Sequence, residues 1–398
     1  MRQPFPPGFL WGAATSAHQA EGNNVNSDMW EVENRPDSPM PERSGDACDF
    51  LHRWPEDLDL AASLGLTAFR FSIEWARIEP EPGRVSRAML QHYERIIAGC
   101  LERSITPVVT LHHFTCPRWF RSFGDWTGAE APALFGRYVA AVAPILDGVE
   151  WVCTINEPNM LAIMHAALAG LNGPLDFSTG MPEPDPAVTA VLVRAHQEAR
   201  AALAGVGGVR SGWTVANLNA HGVGDGGAQL ASEWGRLRED RYLAAAAEDD
   251  FVGVQVYTRT MIGPSGQVVP VGADVRQTLT GWEFYPAALG EAVRHTADVV
   301  PGVPILVTEN GVATSDDAER VEYMRGALAG LARAIGDGID VRGYLHWSFL
   351  DNYEWGSYRP TFGLVAVDRE TFTRTAKPSA RWLGGVAQAN TAELDKQC

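Results

Sequence analysis

Short apolar and β-branched runs recur eight times along the chain, over residues 9–16, 68–75, 106–113, 151–157, 212–219, 251–258, 304–309 and 341–349. Bounded by turn formers, they predict buried β-strands. Between them, residues 56–64, 88–103, 131–146, 187–203, 232–247, 286–295 and 317–335 carry apolar positions at helical spacing. A closing helix is predicted over 379–388, behind Pro378. Strand alternating with helix implies a parallel sheet, because parallel strands need crossover connections. Eight such repeats predict an α/β fold of one kind, a single (β/α)8 TIM barrel. An open doubly wound sheet is disfavoured, since no GxGxxG follows the first run. No Pro/Gly/Ser linker divides the chain, so residues 1–398 are expected to form one domain. The Gly/Pro-rich stretches 170–186 and 263–274 read as long loops on the C-terminal face of the barrel.

In such a barrel the chemistry sits at the C-terminal strand ends. The eight ends carry, in order, Gln19 (a short turn beyond the first run), Trp75, His113, Asn156 with Glu157, Asn219, Tyr257, Glu309 and Trp347. Amides, an imidazole, a phenol, carboxylates and indoles suit a polyol with apolar ring faces. Glu157 and Glu309 are the most informative, because each closes an otherwise apolar run (WVCTINEP and PILVTENG). A carboxylate there costs desolvation energy unless a partner or a task holds it. Two of them at equivalent places in the repeat predict a facing acid/base pair, and that chemistry fits glycoside cleavage. Arg70 lies inside the second run, where an unpaired guanidinium would be very costly, so it is expected to meet a strand-end Glu.

Composition narrows the partners. The chain is 45% apolar and 20% charged, ordinary for a globular protein with a large core, and its net charge of −17 disfavours nucleic acid and anionic membranes. A neutral small-molecule substrate fits; a homo-oligomer is compatible with the sequence. No signal-peptide h-region or membrane span is expected, and five scattered cysteines without CxxC spacing predict reduced thiols, hence a cytoplasmic location. No metal and no cofactor are expected. His112 and His113 are adjacent on a strand and point to opposite faces, so they would not share an ion; His113 is expected inward and His112 outward. The thirteen Trp supply flat faces for sugar rings, although core filling explains any single one. Glu74 and Arg77 read as a surface pair, and Asn219 has no assigned task.

The segments FLWGAATSAHQAEG (from Phe9), FRFSIEWARI (from Phe69), TINEPN (from Thr154), VTENG (from Val307) and HWSFLDNYEW (from His346) resemble glycoside hydrolase family 1. The resemblance runs from about Phe5 to Trp382, in the family's order. It implies a (β/α)8 enzyme that hydrolyses β-glycosides with retention. Position by position, it makes Glu157 the general acid/base and Glu309 the nucleophile, with Arg70 and Tyr257 orienting Glu309. Asn156 would bind the sugar 2-hydroxyl. Gln19, His113, Glu354 and Trp355 would hold the other hydroxyls, Trp347 would stack under the ring, and Trp282 would sit at the aglycone side. In a retaining pair the carboxyl groups stand about 5–5.5 Å apart; Arg70 would favour an ionised Glu309, whose charge in turn would keep Glu157 protonated.

Three departures bear on specificity. Phe114 and Gln255 stand where the family usually has Trp and Asn, and the stretch after Trp355 is short. The implied activity is hydrolysis of terminal non-reducing β-D-glucosides, with galactosides or fucosides as alternatives. A charged Glu354 would repel a 6-phosphate and so disfavours a 6-phospho-β-glycosidase. Transglycosylation to an acceptor other than water stays open. Retention of both Glu argues against a silent sugar-binding protein and against a thioglucosidase.

Overall fold

The structure, a computed structural model, describes residues 2–170 and 181–393. Most of the predicted loop 170–186, and Cys398, lie outside the described residues. Eight parallel strands close into a barrel: β1 (Leu10–Ala14), β2 (Ala68–Ser72), β3 (Thr106–Thr110), β4 (Trp151–Asn156), β5 (Arg210–Ala216), β6 (Val252–Gln255), β7 (Ile305–Asn310) and β8 (Val341–Trp347). Each strand pairs with its neighbours in chain order, and β8 returns to β1 through Tyr344↔Trp11 and His346↔Ala13. Helices cover the outside, as the alternation predicts.

The period-two alternation of each strand sorts its residues. In β2, Phe69 and Phe71 join the layer between barrel and helices, while Ala68 joins Val108, Trp151, Cys153, Phe251, Leu306 and Leu345 in a separate inner cluster. That plug fills one end of the barrel interior. The inward positions one step further along the strands, Arg70, Thr110 and Thr308, are polar and fully buried, and the site is built on them. Gly311 follows β7 because a Cβ there would lie 2.0 Å from the Trp347 carbonyl oxygen, so β7 and β8 approach too closely for any side chain.

Differences from the predicted elements have local causes. The second run ends at Ser72; Trp75 instead opens a short helix, Trp75–Ile78, capped by the Glu74 carboxylate on the Ala76 N–H. A helix at Pro158–Gly170 was not predicted: its sequence is apolar on nearly every face, so it shows no periodicity. The predicted helix 56–64 begins earlier, at Phe50, because Pro55 within it masks its first turns. The predicted helix 232–247 is broken by a π-helical turn at Arg236–Asp240. A short parallel pair, Ala220–Gly222 with Thr260–Ile262, extends β5 and β6 toward the loop at 263–274.

Candidate active site

Glu309 lies near the end of β7 and is 4% exposed. Its Oε1 accepts hydrogen bonds from Arg70 Nη1 at 2.5 Å and from Gln255 Nε2 at 2.8 Å; Oε2 accepts from the Tyr257 hydroxyl at 2.5 Å. Arg70 is fully buried on β2 and also donates to Thr110 Oγ1 and to Asn156 Oδ1, at 2.9 and 2.6 Å. The buried guanidinium therefore meets the strand-end carboxylate that its placement demanded. Burial pushes the Glu309 pKa above the ordinary carboxyl range, and the Arg70 charge and the Tyr257 hydrogen bond oppose it. Burial and the Glu309 charge push the Tyr257 phenol well up, so it stays a donor.

Asn156 closes β4 and is fully buried. Its Oδ1 accepts from three donors: Arg70 Nη2, Gln255 Nε2 and, at 3.3 Å, Thr214 Oγ1. Three donors around one atom fix the amide's orientation, because the flipped form would set an NH2 against them. The buried Nδ2 has no partner among the described residues.

Glu157 follows directly, in the left-handed region at φ 44°. Its N–H bonds the Thr214 carbonyl and its own carbonyl accepts from Leu161 N–H, so the backbone turns from strand into the Pro158–Gly170 helix here. Non-glycine residues hold this conformation uncommonly, and residues held in such sparsely populated regions cluster at active sites. No hydrogen bond from the described residues reaches its carboxyl. Burial first, and the Glu309 charge second, push its pKa well above the ordinary value, against Arg70 alone. Of the two carboxyls Glu157 is pushed up further, because the donors converge on Glu309.

Beyond this pair the side chains form an aromatic and polar wall. Gln19 Nε2 donates to Glu354 Oε2 at 3.1 Å, and Trp347 Nε1 donates to Glu354 Oε1 at 3.2 Å. Trp347, His113, Trp355 and His18 form a column of near-parallel rings, with successive centroids 5.7, 6.4 and 5.7 Å apart. His18 is anchored at its far end by Glu33 at 2.8 Å. Phe114 meets the Trp355 ring edge-on. Trp282 is 40% exposed and packs on Tyr257 and Phe362. Burial pushes the Glu354 pKa well above the ordinary value, with the Glu309 charge adding to it. The hydrogen bonds from Trp347 and Gln19 oppose that shift.

The structure thus gathers Arg70, Asn156, Tyr257, Gln255 and Glu309 into one hydrogen-bond network, and Gln19, His113, Trp347, Glu354 and Trp355 into one wall. It does not bring Trp75 or Asn219 there. Trp75 is buried against Trp119, Phe120, Phe135 and Tyr138, and Asn219 donates to Glu291. Glu74 and Arg77 are not a surface pair. Glu74 is buried and accepts from Thr115, while Arg77 pairs with Glu21 at 2.7 Å. His112 packs outward near Cys116 and Trp126, as expected. Sequence reading missed the connecting roles of Gln255, Thr110 and Thr214. The signal available was a polar residue at an inward position at or near a strand end. Among the described residues no cluster of three or more His, Cys, Asp or Glu could hold a metal ion, and no helix is long and apolar enough to cross a membrane.

Known proteins resemble this chain over nearly its whole length. The sequence model of glycosyl hydrolase family 1 matches residues 1–201 and 240–392. β-Glucosidase A of Thermotoga maritima is 31% identical, covering 98% of this chain and 99% of the relative. The bifunctional β-D-glucosidase/β-D-fucosidase of Bifidobacterium breve is also 31% identical, over 96% of this chain and 98% of its own length. Among solved structures, the β-glycosidase from Pyrococcus horikoshii superposes with a TM-score of 0.90 at 35% identity, covering 99% of this chain and 97% of that one. A second β-glycosidase crystal structure reaches 42% identity and a TM-score of 0.89, covering 99% and 100%. With the closed eight-stranded barrel, these matches make the chain a glycoside hydrolase, and it belongs to glycosyl hydrolase family 1.

Proposed function

We propose that the protein is a retaining β-glycosidase that releases terminal non-reducing β-D-glycosyl residues, glucosides first, with fucosides and galactosides as further substrates. The observation that carries this reading is the unequal environment of the two strand-end carboxyls. Glu309 collects Arg70, Gln255 and Tyr257, while Glu157 has burial and a neighbouring negative charge. The first suits a nucleophile and the second a proton donor. In the first step a Glu309 oxygen attacks the anomeric carbon, the bond to the aglycone oxygen breaks, and the Glu157 proton goes to that oxygen. Glu309 is then neutral as an ester, and the coupling that held the Glu157 proton is gone. Glu157, now ionised, takes a proton from water as the water oxygen attacks the anomeric carbon and Glu309 leaves as a carboxylate. Asn156 Nδ2 binds the 2-hydroxyl, an interaction that strengthens as the ring becomes oxocarbenium-like. Trp347 carries the ring face; Gln19, His113, Glu354 and Trp355 hold the remaining hydroxyls, and Trp282 borders the aglycone.

The family match on both sides of residues 202–239 supports one catalytic domain over 1–398. Four buried free thiols, Cys48, Cys100, Cys116 and Cys153, support a reducing, cytoplasmic setting. The test is a panel of aryl β-glycosides with wild type, Glu309→Ala and Glu157→Ala, with the first-formed sugar followed by NMR. Hydrolysis that depends on Glu309 and yields the β-anomer first is expected; full activity of Glu309→Ala, or the α-anomer first, would defeat the reading.

A further inference from the structure

Gln255 stands two residues before Tyr257 at the end of β6, in register with Glu309 on β7, and is 1% exposed. Its single NH2 group donates to Glu309 Oε1 and to Asn156 Oδ1, both at 2.8 Å. An amide nitrogen has two hydrogens, so the two acceptors use it completely. Arg70 bridges the same two atoms from the other side, at 2.5 and 2.6 Å. The two acceptors and two donors form a closed ring, in which Arg70 supplies charge and Gln255 a neutral link. The Gln255 Oε1 is buried and has no partner among the described residues. The backbone N–H of Gln255 bonds the Asn217 side chain, which holds the strand end in place and leaves the side-chain amide to the ring.

We propose that Gln255 is a positioning residue that couples recognition of the sugar 2-hydroxyl, through Asn156, to the charge state of Glu309. The inference rests on the retaining reading above. While Glu309 is charged, it draws the Gln255 and Arg70 donors toward Oε1. When it becomes an ester it accepts more weakly, the donors turn to Asn156 Oδ1, and the polarised amide donates more strongly through Nδ2. A hydrogen bond to the ionised form also lowers the pKa of that form. The ionisable groups facing Glu309 are Arg70 on β2, Cys153 on β4, Glu157 beyond it, Tyr257 beyond β6 and Glu354 beyond β8. Gln255 is the uncharged donor among them, so replacing it changes no net charge.

The experiment uses the full chain, an aryl β-glucoside and its 2-deoxy analogue. Gln255→Met keeps the shape and removes both hydrogen bonds; Gln255→Asn keeps the amide but ends about 1.5 Å short of both acceptors. In each variant the acid limb of kcat/KM is expected to rise by about one pH unit, and the wild-type preference for the 2-hydroxyl substrate to fall about tenfold, as for loss of one hydrogen bond to a charged group. A merely structural role would slow both substrates equally and leave the limb in place. Trapping with a 2-deoxy-2-fluoroglucoside and peptide mapping gives the control. A wild-type label absent from Glu309 overturns the retaining reading and the proposal with it. A label on Glu309, with an unmoved limb and unchanged 2-hydroxyl preference in a folded Met or Asn variant, overturns the proposal alone.

Discussion

Replacing Arg70 by Met is the most exposing perturbation of this site. The change keeps an unbranched but shorter side chain and removes one buried charge and four hydrogen bonds, to Thr110, the Thr308 carbonyl, Glu309 and Asn156. An arginine beside a buried acid lowers its pKa by about 1–3 units, so two units is the working figure. The acid limb of kcat/KM should therefore rise by about two pH units. At pH values below it, activity should fall about a hundredfold through ionisation alone, on top of a loss common to all pH. Stability should change with pH in a matching way. A higher folded-state pKa means that stability present in acid is lost as pH rises through that pKa. Two units correspond to about 2.7 kcal/mol, just below the roughly 3–5 kcal/mol that breaking a buried pair costs when the remaining charge cannot neutralise. The melting-temperature deficit of Arg70→Met should thus be larger at pH 8 than at pH 5. Arg70→Lys should recover the limb but not the deficit, since an ammonium cannot bridge Glu309 and Asn156 in one plane. An acid limb that stays where it is, with an equal thermal deficit at both pH values, would refute the assignment of Arg70 as the group that keeps Glu309 ionised.

Three further outcomes follow from the geometry. Glu157→Ala should lose about 10²–10⁴-fold on glycosides with poor leaving groups and far less on dinitrophenyl glycosides in the glycosylation step, as pre-steady-state kinetics would read. Glu74, whose pKa burial raises to about 7 against Thr115 and the Ala76 N–H, contributes stability below its ordinary value of 4.5 that is lost as pH rises through 7. Wild type should accordingly lose about 3 kcal/mol more than Glu74→Gln between pH 4 and pH 9, by denaturant titration. Gly311→Ala should cost about 1–3 kcal/mol, because its Cβ would lie 2.0 Å from the Trp347 carbonyl oxygen; an unchanged melting temperature would contradict that packing.

Much of the barrel was legible in the sequence because strands buried on both faces read as apolar runs and their connecting helices as amphipathic ones. The Pro158–Gly170 helix was not, since a helix apolar all round lacks the contrast on which periodicity depends. Arg70 was the clearest site signal, a charge that a buried strand tolerates only with a partner, and Glu309 is that partner. Trp75 and Asn219 misled because the runs holding them end as strands at Ser72 and Ala216, so residue type at a predicted end was read one turn too far. Gln255 was visible as a departure in residue type, but its bridge depends on the register between β6 and β7, which no local pattern encodes. Glu74 and Arg77 were taken for surface because their partners, Thr115 and Glu21, lie at least 41 residues away.

The three donors around Asn156 Oδ1 also set a rule for what can occupy the site. With its oxygen saturated, the amide can only give a hydrogen to the sugar, never take one. The carbon-2 substituent must offer a lone pair. A hydroxyl or fluorine does so; a glucosaminium ammonium does not, and its positive charge would also face the Arg70 guanidinium across the same amide. On the proposed reading, the network around Glu309 would thereby screen out protonated amino sugars, a selectivity that needs no steric barrier.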